Sequence, residues 1–123
     1  MSMSASVVSI GDIELQSGVV FPDLKISHST FGTLNAARSN AILLPTFYGG
    51  KHSDYEPMIG ADKALDPSKY FIIMVDMMCN GLSSSPSNGA PPFSGANFPK
   101  ITHWDNVHAQ QKMLEQEYGI ESL

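Results

Sequence analysis

Histidine is the side chain most often used as a metal ligand or as a general base near neutral pH. The chain contains four, His28, His52, His103 and His108. Their spacings form no recognised pair of metal ligands. His103 and His108 are five residues apart, so their side chains would diverge on a helix. We therefore expect all four histidines to be surface or loop residues and predict no metal site.

Asp76 and Cys79 are the other side chains suited to chemistry. Asp76 follows an apolar segment typical of a parallel strand, and functional sites gather at the carboxyl edge of such sheets. A structural hydrogen bond to the following loop is the simpler interpretation. Nothing beside Cys79 supplies a base or a helix amino terminus to lower its pKa. We therefore treat it as a small packing residue, and Met74, Met77 and Met78 as core and loop filler.

Size, charge and cysteine content narrow the class of protein. The 123 residues are 42% hydrophobic, enough for the core of one domain. The formal charge of -5 and the scattered basic residues argue against a nucleic-acid or anionic-membrane partner. A single cysteine fits a reducing compartment, so we expect a cytoplasmic protein. No run of about 18 apolar residues is present to cross a bilayer.

The elements that would position these residues begin after a Ser-rich start. We interpret residues 1–10 as a flexible amino terminus and residues 11–123 as the folded domain. Apolar and polar residues alternate in Ile13–Leu15 and again in Leu24–Phe31, with Gly18 and Pro22 between them. This pattern predicts an antiparallel hairpin at the edge of a sheet, with one face exposed.

Two later segments are continuously apolar, Ala41–Leu44 and Tyr70–Val75. Short continuous runs are typical of parallel strands covered on both faces, so an α/β fold is predicted. Between them, residues 54–69 predict a crossover with short helical turns, broken by prolines and a glycine. Fifteen of the twenty residues in Asn80–Pro99 are Gly, Pro, Ser or Asn, which predicts a long loop of the kind that is often functional.

One helix is clear near the carboxyl end. Thr102 and Asp105 form a capping-box-like pattern, and Gly119 is suited to end the helix. Trp104, Val107, Leu114 and Tyr118 are spaced along one face, which we expect to be the buried face.

Several short segments follow one another between residues 24 and 123. They are Phe31-Gly32-Thr33-Leu34-Asn35, Tyr48-Gly49-Gly50, Ile59-Gly60, Leu65-Asp66, Tyr70-Phe71-Ile72-Ile73, Asn80 to Ser87, Phe98-Pro99, Thr102, Asp105-Asn106-Val107, Ala109-Gln110 and Tyr118-Gly119-Ile120. In this order they resemble landmarks of the homoserine O-acetyltransferase-like branch of the α/β-hydrolase family, and the shared order makes them more specific than any one alone. The resemblance implies an incomplete α/β-hydrolase-type sheet, with an edge antiparallel hairpin, parallel strands and one clear helix.

By this resemblance, the loop from Pro45 to His52 corresponds to the family's oxyanion loop. Its backbone N–H groups would stabilise the negative oxygen of a tetrahedral acyl-transfer intermediate. The resemblance points to the amide of Tyr48, with Phe47 as the neighbouring candidate. Thr46, Gly49 and Gly50 complete the loop, and Thr46 departs from the His that the family often carries. A simple strand-to-loop turn is the alternative interpretation of the two glycines.

The family's nucleophile is the serine of a Gly-x-Ser-x-Gly turn, which would follow residue 123. Gly81-Leu82-Ser83-Ser84-Ser85 lacks the closing glycine, so we assign no catalytic residue within this chain. The resemblance implies acyl transfer, typically of acetyl from acetyl-CoA to a hydroxyl, and no bound cofactor. The alternatives are a non-catalytic interaction module, an inactive truncated product and, with less support, a small flavodoxin-like nucleotide binder.

The predicted sheet has too few helices to cover it. About five large side chains would stay exposed, each forgoing roughly 1.5 to 3 kcal/mol of burial. We therefore expect the chain to be marginally stable alone. It would associate with a carboxyl-terminal fragment or with itself through the exposed sheet.

Overall fold

A mixed β-sheet lies at the centre of this computed structural model, which describes residues 5–47 and 49–123. Within that part of the chain, the sheet has four strands in the order β1-β4-β6-β5, and a separate ribbon pairs β2 with β3. The strands are β1 (Ser6–Ser9), β2 (Ile13–Glu14), β3 (Val20–Phe21), β4 (Lys25–Phe31), β5 (Ala41–Pro45) and β6 (Phe71–Val75). The helix α1 spans His103–Tyr118, and 3₁₀ helices span His52–Met58 and Gly95–Asn97. The predicted α/β fold with a partial sheet is confirmed.

The two continuously apolar segments form neighbouring parallel strands, as predicted. Ala41 pairs with Phe71 and Pro45 pairs with Val75 at the two ends of the β5–β6 ladder. Every residue of β6 is buried, whereas the first four residues of β5 are only half-buried. The expectation of cover on both faces is therefore correct for β6 and wrong for β5, because β5 is the edge of the sheet within the described chain.

The predicted hairpin pairs the wrong segments. Ile13 pairs with Phe21 and Glu14 pairs with Val20, so the first segment turns back onto β3 rather than onto β4. Strand β4 lies between β1 and β6 and is antiparallel to both. Its serines Ser27 and Ser29 are buried, and the Ser27 amide donates to Ser83 Oγ at 2.9 Å. Alternation of apolar and polar residues therefore did not mark an exposed face here.

Residues 6–9, within the segment interpreted as a flexible amino terminus, form β1. Ser6 lies opposite His28 and Ser9 lies opposite Lys25 in an antiparallel ladder. The side chains of β1 are mostly exposed, so the backbone hydrogen bonds to β4 hold the strand. Such pairing leaves little hydrophobic pattern in the sequence. Residues 1–4 of the predicted flexible terminus lie outside the described residues.

Helix α1 begins and ends where the sequence predicts. Thr102 Oγ1 accepts a hydrogen bond from the Asp105 amide, and the Asp105 carboxylate accepts one from the Thr102 amide. Gly119 is left-handed with φ of 64°, and its amide donates to Glu115 O. This geometry closes the last turn of the helix.

The buried face of α1 differs from the predicted one. Leu114 is buried, but Trp104 is 51% exposed and Val107 is 65% exposed. Asp105 and Asn106 are buried instead, because Asp105 Oδ1 accepts from the Gln16 amide and Asn106 Oδ1 accepts from the Met78 amide. Besides Leu114, Asp105 and Asn106, the buried helix residues are Ala109, Gln110 and Met113.

The core lies between α1 and one face of the sheet. Among the strands, β2, β3, β4 and β6 supply its buried residues, whereas β1 and β5 contribute only partly buried ones. The core includes Ile13, Phe21, Ile26, Ile73, Val75, Ala109, Met113 and Leu114. Met74 and Met78 are buried, which agrees with the prediction of core filler, and Met77 is half-buried in the following loop. No helix in the described ranges is long and apolar enough to span a membrane.

Candidate functional site

The candidate oxyanion loop, residues 46–52, leaves the carboxyl end of β5 beside the carboxyl end of β6. Its first residue, Thr46, is 4% exposed and is held by two hydrogen bonds. The Thr46 amide donates to Val75 O at 3.0 Å, which extends the parallel ladder by one step. The Met77 amide donates to Thr46 Oγ1, also at 3.0 Å. The threonine at this position therefore anchors the start of the loop.

A tight turn occupies the middle of the loop. The Gly50 amide donates to Phe47 O at 2.8 Å, and Gly49 has a left-handed φ of 74° that favours glycine. A Cβ atom at Gly50 would lie 2.8 Å from the exposed Phe47 ring, so a larger residue here would require that ring to shift. The predicted donor Tyr48 lies outside the described residues. For the second candidate, Phe47, no described residue accepts a hydrogen bond from its amide.

The end of the loop is fixed to Asp76, the residue that follows β6. Asp76 is fully buried, and its Oδ1 accepts from the His52 amide at 2.9 Å. His52 Nδ1 lies 2.5 Å from Oδ2 of the same carboxylate. Asn80 Nδ2 also donates to Oδ1 at 3.0 Å. The structural hydrogen bond predicted between Asp76 and the following loop is present, but the two contacts to His52 were not predicted.

A sequence signal for the His52–Asp76 contact does exist. Both residues follow parallel strands of one sheet, and the carboxyl ends of such strands meet at the same edge. The apolar run predicts Asp76 at this edge, whereas the residues around His52 predict only a loop histidine, because the glycine turn separates His52 from β5. The side chain of His52 is only 12% exposed.

The serines after β6 have structural contacts. Ser83 Oγ donates to Asp76 O at 2.6 Å and accepts from the Ser27 amide. Ser85 Oγ donates to Ser83 O and accepts from the Gly81 amide. Ser83 and Ser85 are 0% and 1% exposed. The Ser83 hydroxyl joins the loop to β4, the Ser85 hydroxyl bonds within the loop, and both are closed to a substrate.

Prediction of the histidines as surface or loop residues is wrong for His28. This residue is 2% exposed in the centre of β4, and its Nε2 lies 2.6 Å from the Tyr118 hydroxyl. Burial lowers the pKa of His28 below 6.5, against an opposing influence of the Glu117 charge. A histidine in an alternating segment is buried here because the last turn of α1 supplies a polar partner. His103 and His108 are exposed, as predicted.

Cys79 is exposed, so its assignment as a packing residue is wrong. Its φ of 74° places it in the turn after β6, and its amide donates to Ser84 O. Desolvation raises the pKa of its thiol, which is opposite to the shift of an activated nucleophile. Within residues 5–47 and 49–123, no three His, Cys, Asp or Glu side chains cluster in a way that would hold a metal ion.

Comparison with known proteins relates this chain to esterases and acetyltransferases. It is 49% identical to a probable esterase of Corynebacterium glutamicum over 94% of its residues, and 43% identical to an ethyl acetate hydrolase of Pseudomonas veronii. It is 38% identical to the homoserine O-acetyltransferase of Cyclobacterium marinum. No protein-family model matches the chain. The chain spans about a third of the length of these relatives, namely 34%, 34% and 33%.

Solved structures show the same relationship. An acetylester hydrolase from Corynebacterium glutamicum matches 95% of this chain with a TM-score of 0.91 and 47% identity. The match covers 34% of the hydrolase. The acetyl esterase MekB matches 98% of the chain with a TM-score of 0.94 and 42% identity, over 35% of its own length. The matched proteins are esterases and homoserine O-acetyltransferases of the α/β-hydrolase family, and this chain matches only their amino-terminal third.

Proposed function

We propose that this chain forms the amino-terminal part of a serine-dependent acyl-transfer enzyme and supplies its oxyanion loop. The observation that carries the proposal is the loop 46–52, whose two ends are hydrogen-bonded to the end of β6 through Thr46 and His52. A fixed backbone N–H donor stabilises an oxyanion because it needs no reorganisation as charge develops, and one such donor contributes about 3 to 4 kcal/mol. Tyr48 is the first candidate donor and Phe47 the second.

Hydrolysis of acetyl esters is the reaction that the relatives favour. Identity is higher with the probable esterase and the ethyl acetate hydrolase, at 49% and 43%, than with the homoserine O-acetyltransferase, at 38%. Water would then accept the acetyl group from the acyl-serine. Transfer from acetyl-CoA to a hydroxyl is the second candidate reaction. A cytoplasmic location is part of this proposal and rests on the single cysteine.

The serine nucleophile, with its acid and histidine, would come from the part of the relatives that this chain does not cover. The half-buried edge strand β5 offers unpaired backbone groups for another strand. Beside it, Leu43, Leu114 and Leu123 contribute to an apolar groove of about 300 Å³. A carboxyl-terminal fragment is therefore the proposed partner, with self-association through the same edge as the alternative.

A chimera tests the proposed function. Residues 1–123 would replace the matching amino-terminal third of the Corynebacterium glutamicum relative, and the product would be assayed with p-nitrophenyl acetate and ethyl acetate. A second assay would supply acetyl-CoA and homoserine. We expect ester hydrolysis to exceed acetyl transfer. A folded chimera without either activity would contradict the proposal and favour a non-catalytic interaction module.

A further inference from the structure

Both oxygens of one buried carboxylate hold a single residue of the oxyanion loop. Asp76 Oδ1 accepts from the backbone N–H of His52, and Oδ2 lies 2.5 Å from His52 Nδ1. Asn80 supplies the third hydrogen bond, to Oδ1. A buried carboxyl group without hydrogen-bond partners is costly, and these three contacts supply partners to a group that is 0% exposed. Together, the two contacts define the position and the orientation of His52.

The other end of the loop is held by the neighbouring residues of the same segment. Val75 O accepts from the Thr46 amide, and the Met77 amide donates to Thr46 Oγ1. Three consecutive residues, 75–77, therefore hold both ends of loop 46–52. Loss of the Asp76 carboxylate would release the His52 end while the Thr46 end stayed in place.

A histidine beside a buried carboxylate is also the arrangement of a general base. The two roles use different ring nitrogens, because a positioning role needs Nδ1 and a base needs Nε2. Nδ1 is engaged by Asp76, and the backbone amide of His52 binds the same carboxylate. No described residue bonds to Nε2. The ring contact is common to both roles, whereas the contact of the backbone amide with the same carboxylate serves only to position the residue.

We propose that His52 and Asp76 are positioning residues that aim the oxyanion loop, an inference that rests on the proposed function of this loop. Oxyanion donors act only when they are directed at the place where charge develops. A loop released at His52 would bind the uncharged ester almost as well but would stabilise the transition state less. The pair therefore acts on kcat and leaves KM nearly unchanged.

Matched substitutions at His52 separate the two nitrogens. In His52→Asn the amide nitrogen lies near the place of Nδ1, whereas in His52→Gln it lies near the place of Nε2. In the chimera, we expect His52→Ala and His52→Gln to lower kcat about 10- to 100-fold, and His52→Asn to stay within about threefold of the native chain. Retained activity in His52→Gln together with its loss in His52→Asn would overturn the proposal.

Substitution of Asp76 supplies the second half of the test. Asp76→Asn keeps Oδ1 as an acceptor, and its amide can donate to His52 Nδ1 once the ring adopts the opposite tautomer. We expect Asp76→Asn to keep most of the kcat and Asp76→Ala to lower it as His52→Ala does. Unchanged kcat in a folded Asp76→Ala chimera would overturn the proposal.

Hydrogen exchange in the 123-residue chain tests the contact without any assay of activity. We expect the His52 amide to be protected in the native chain and in Asp76→Asn, and to exchange freely in Asp76→Ala. Free exchange of this amide in the native chain would overturn the positioning role. An inactive native chimera with a protected His52 amide would refute the proposed function and leave the contact between His52 and Asp76 established.

Discussion

His28 in the middle of the sheet and Tyr118 in the last turn of α1 are joined by a contact of 2.6 Å between Nε2 and the phenol oxygen. The two rings also meet edge to face, with centroids 5.8 Å apart. Tyr118 packs on Phe71 of β6 as well, at 5.2 Å between centroids. One residue of the helix therefore contacts both central strands of the sheet.

The burial of His28 predicts a loss of stability in mild acid. Burial lowers the pKa of His28 below 6.5, so the unfolded chain binds more protons than the folded chain in this range. The contribution of His28 to stability is present above pH 6.5 and is lost as the pH falls through its lowered folded pKa. Urea unfolding between pH 5 and pH 8 measures this change. His28→Gln should remove it, and His108→Gln, at an exposed position, should leave it unchanged.

Removal of the Tyr118 hydroxyl should destabilise the fold. Tyr118→Phe leaves the buried Nε2 of His28 without its partner, and an unsatisfied buried polar group costs about 1 to 3 kcal/mol. Tyr70→Phe is the matched control, because Tyr70 is 38% exposed. Urea unfolding at pH 7.5 measures both variants. Equal free energies of unfolding for the two would contradict a stabilising role of the His28 contact.

Backbone substitution tests the oxyanion donor directly. Tyr48→Pro removes an N–H group, so we expect kcat of the chimera to fall about 10²- to 10³-fold, as for other oxyanion donors. Tyr48→Phe keeps the N–H and should keep the activity. If Phe47→Pro has the larger effect in steady-state assays, the donor is Phe47 instead. No effect from either proline would exclude this loop as the oxyanion donor.

Loss of the helix cap should lower stability by a smaller amount. Thr102→Ala removes the oxygen that accepts from the Asp105 amide, which should cost about 1 kcal/mol. Thermal and urea unfolding measure the effect, with the exposed Thr33→Ala as the control. A cost no greater than that of the control would mean that Asp105 and the core hold the first turn without Thr102.

The isolated chain should not catalyse ester hydrolysis. Ser83 and Ser85 are closed to a substrate, and their hydroxyls bond to backbone groups. Incubation with p-nitrophenyl acetate should therefore show no serine-dependent turnover above the uncatalysed rate. Turnover abolished by Ser83→Ala in a chain that still folds would refute the assignment of the nucleophile to another segment.

Features with local causes were readable from the sequence. The continuous apolar run of Phe71–Val75 predicted a buried parallel strand, and every residue of β6 is buried. Thr102, Asp105 and Gly119 predicted both ends of α1, since capping depends on neighbouring backbone groups. The ordered landmarks resemble the α/β-hydrolase family, and the matched esterases and acetyltransferases belong to that family.

Other features depend on partners that are distant in the sequence. β1 is a strand because β4 lies beside it, and the buried face of α1 carries Asp105 and Asn106 because Gln16 and Met78 meet them. His28 is buried because the hydroxyl of Tyr118, ninety residues later, lies within hydrogen-bonding distance of its ring. His52 binds Asp76 because two parallel strands bring their carboxyl ends together. Polar burial is favourable only when a partner is in reach, and chain folding brings that partner from elsewhere in the sequence.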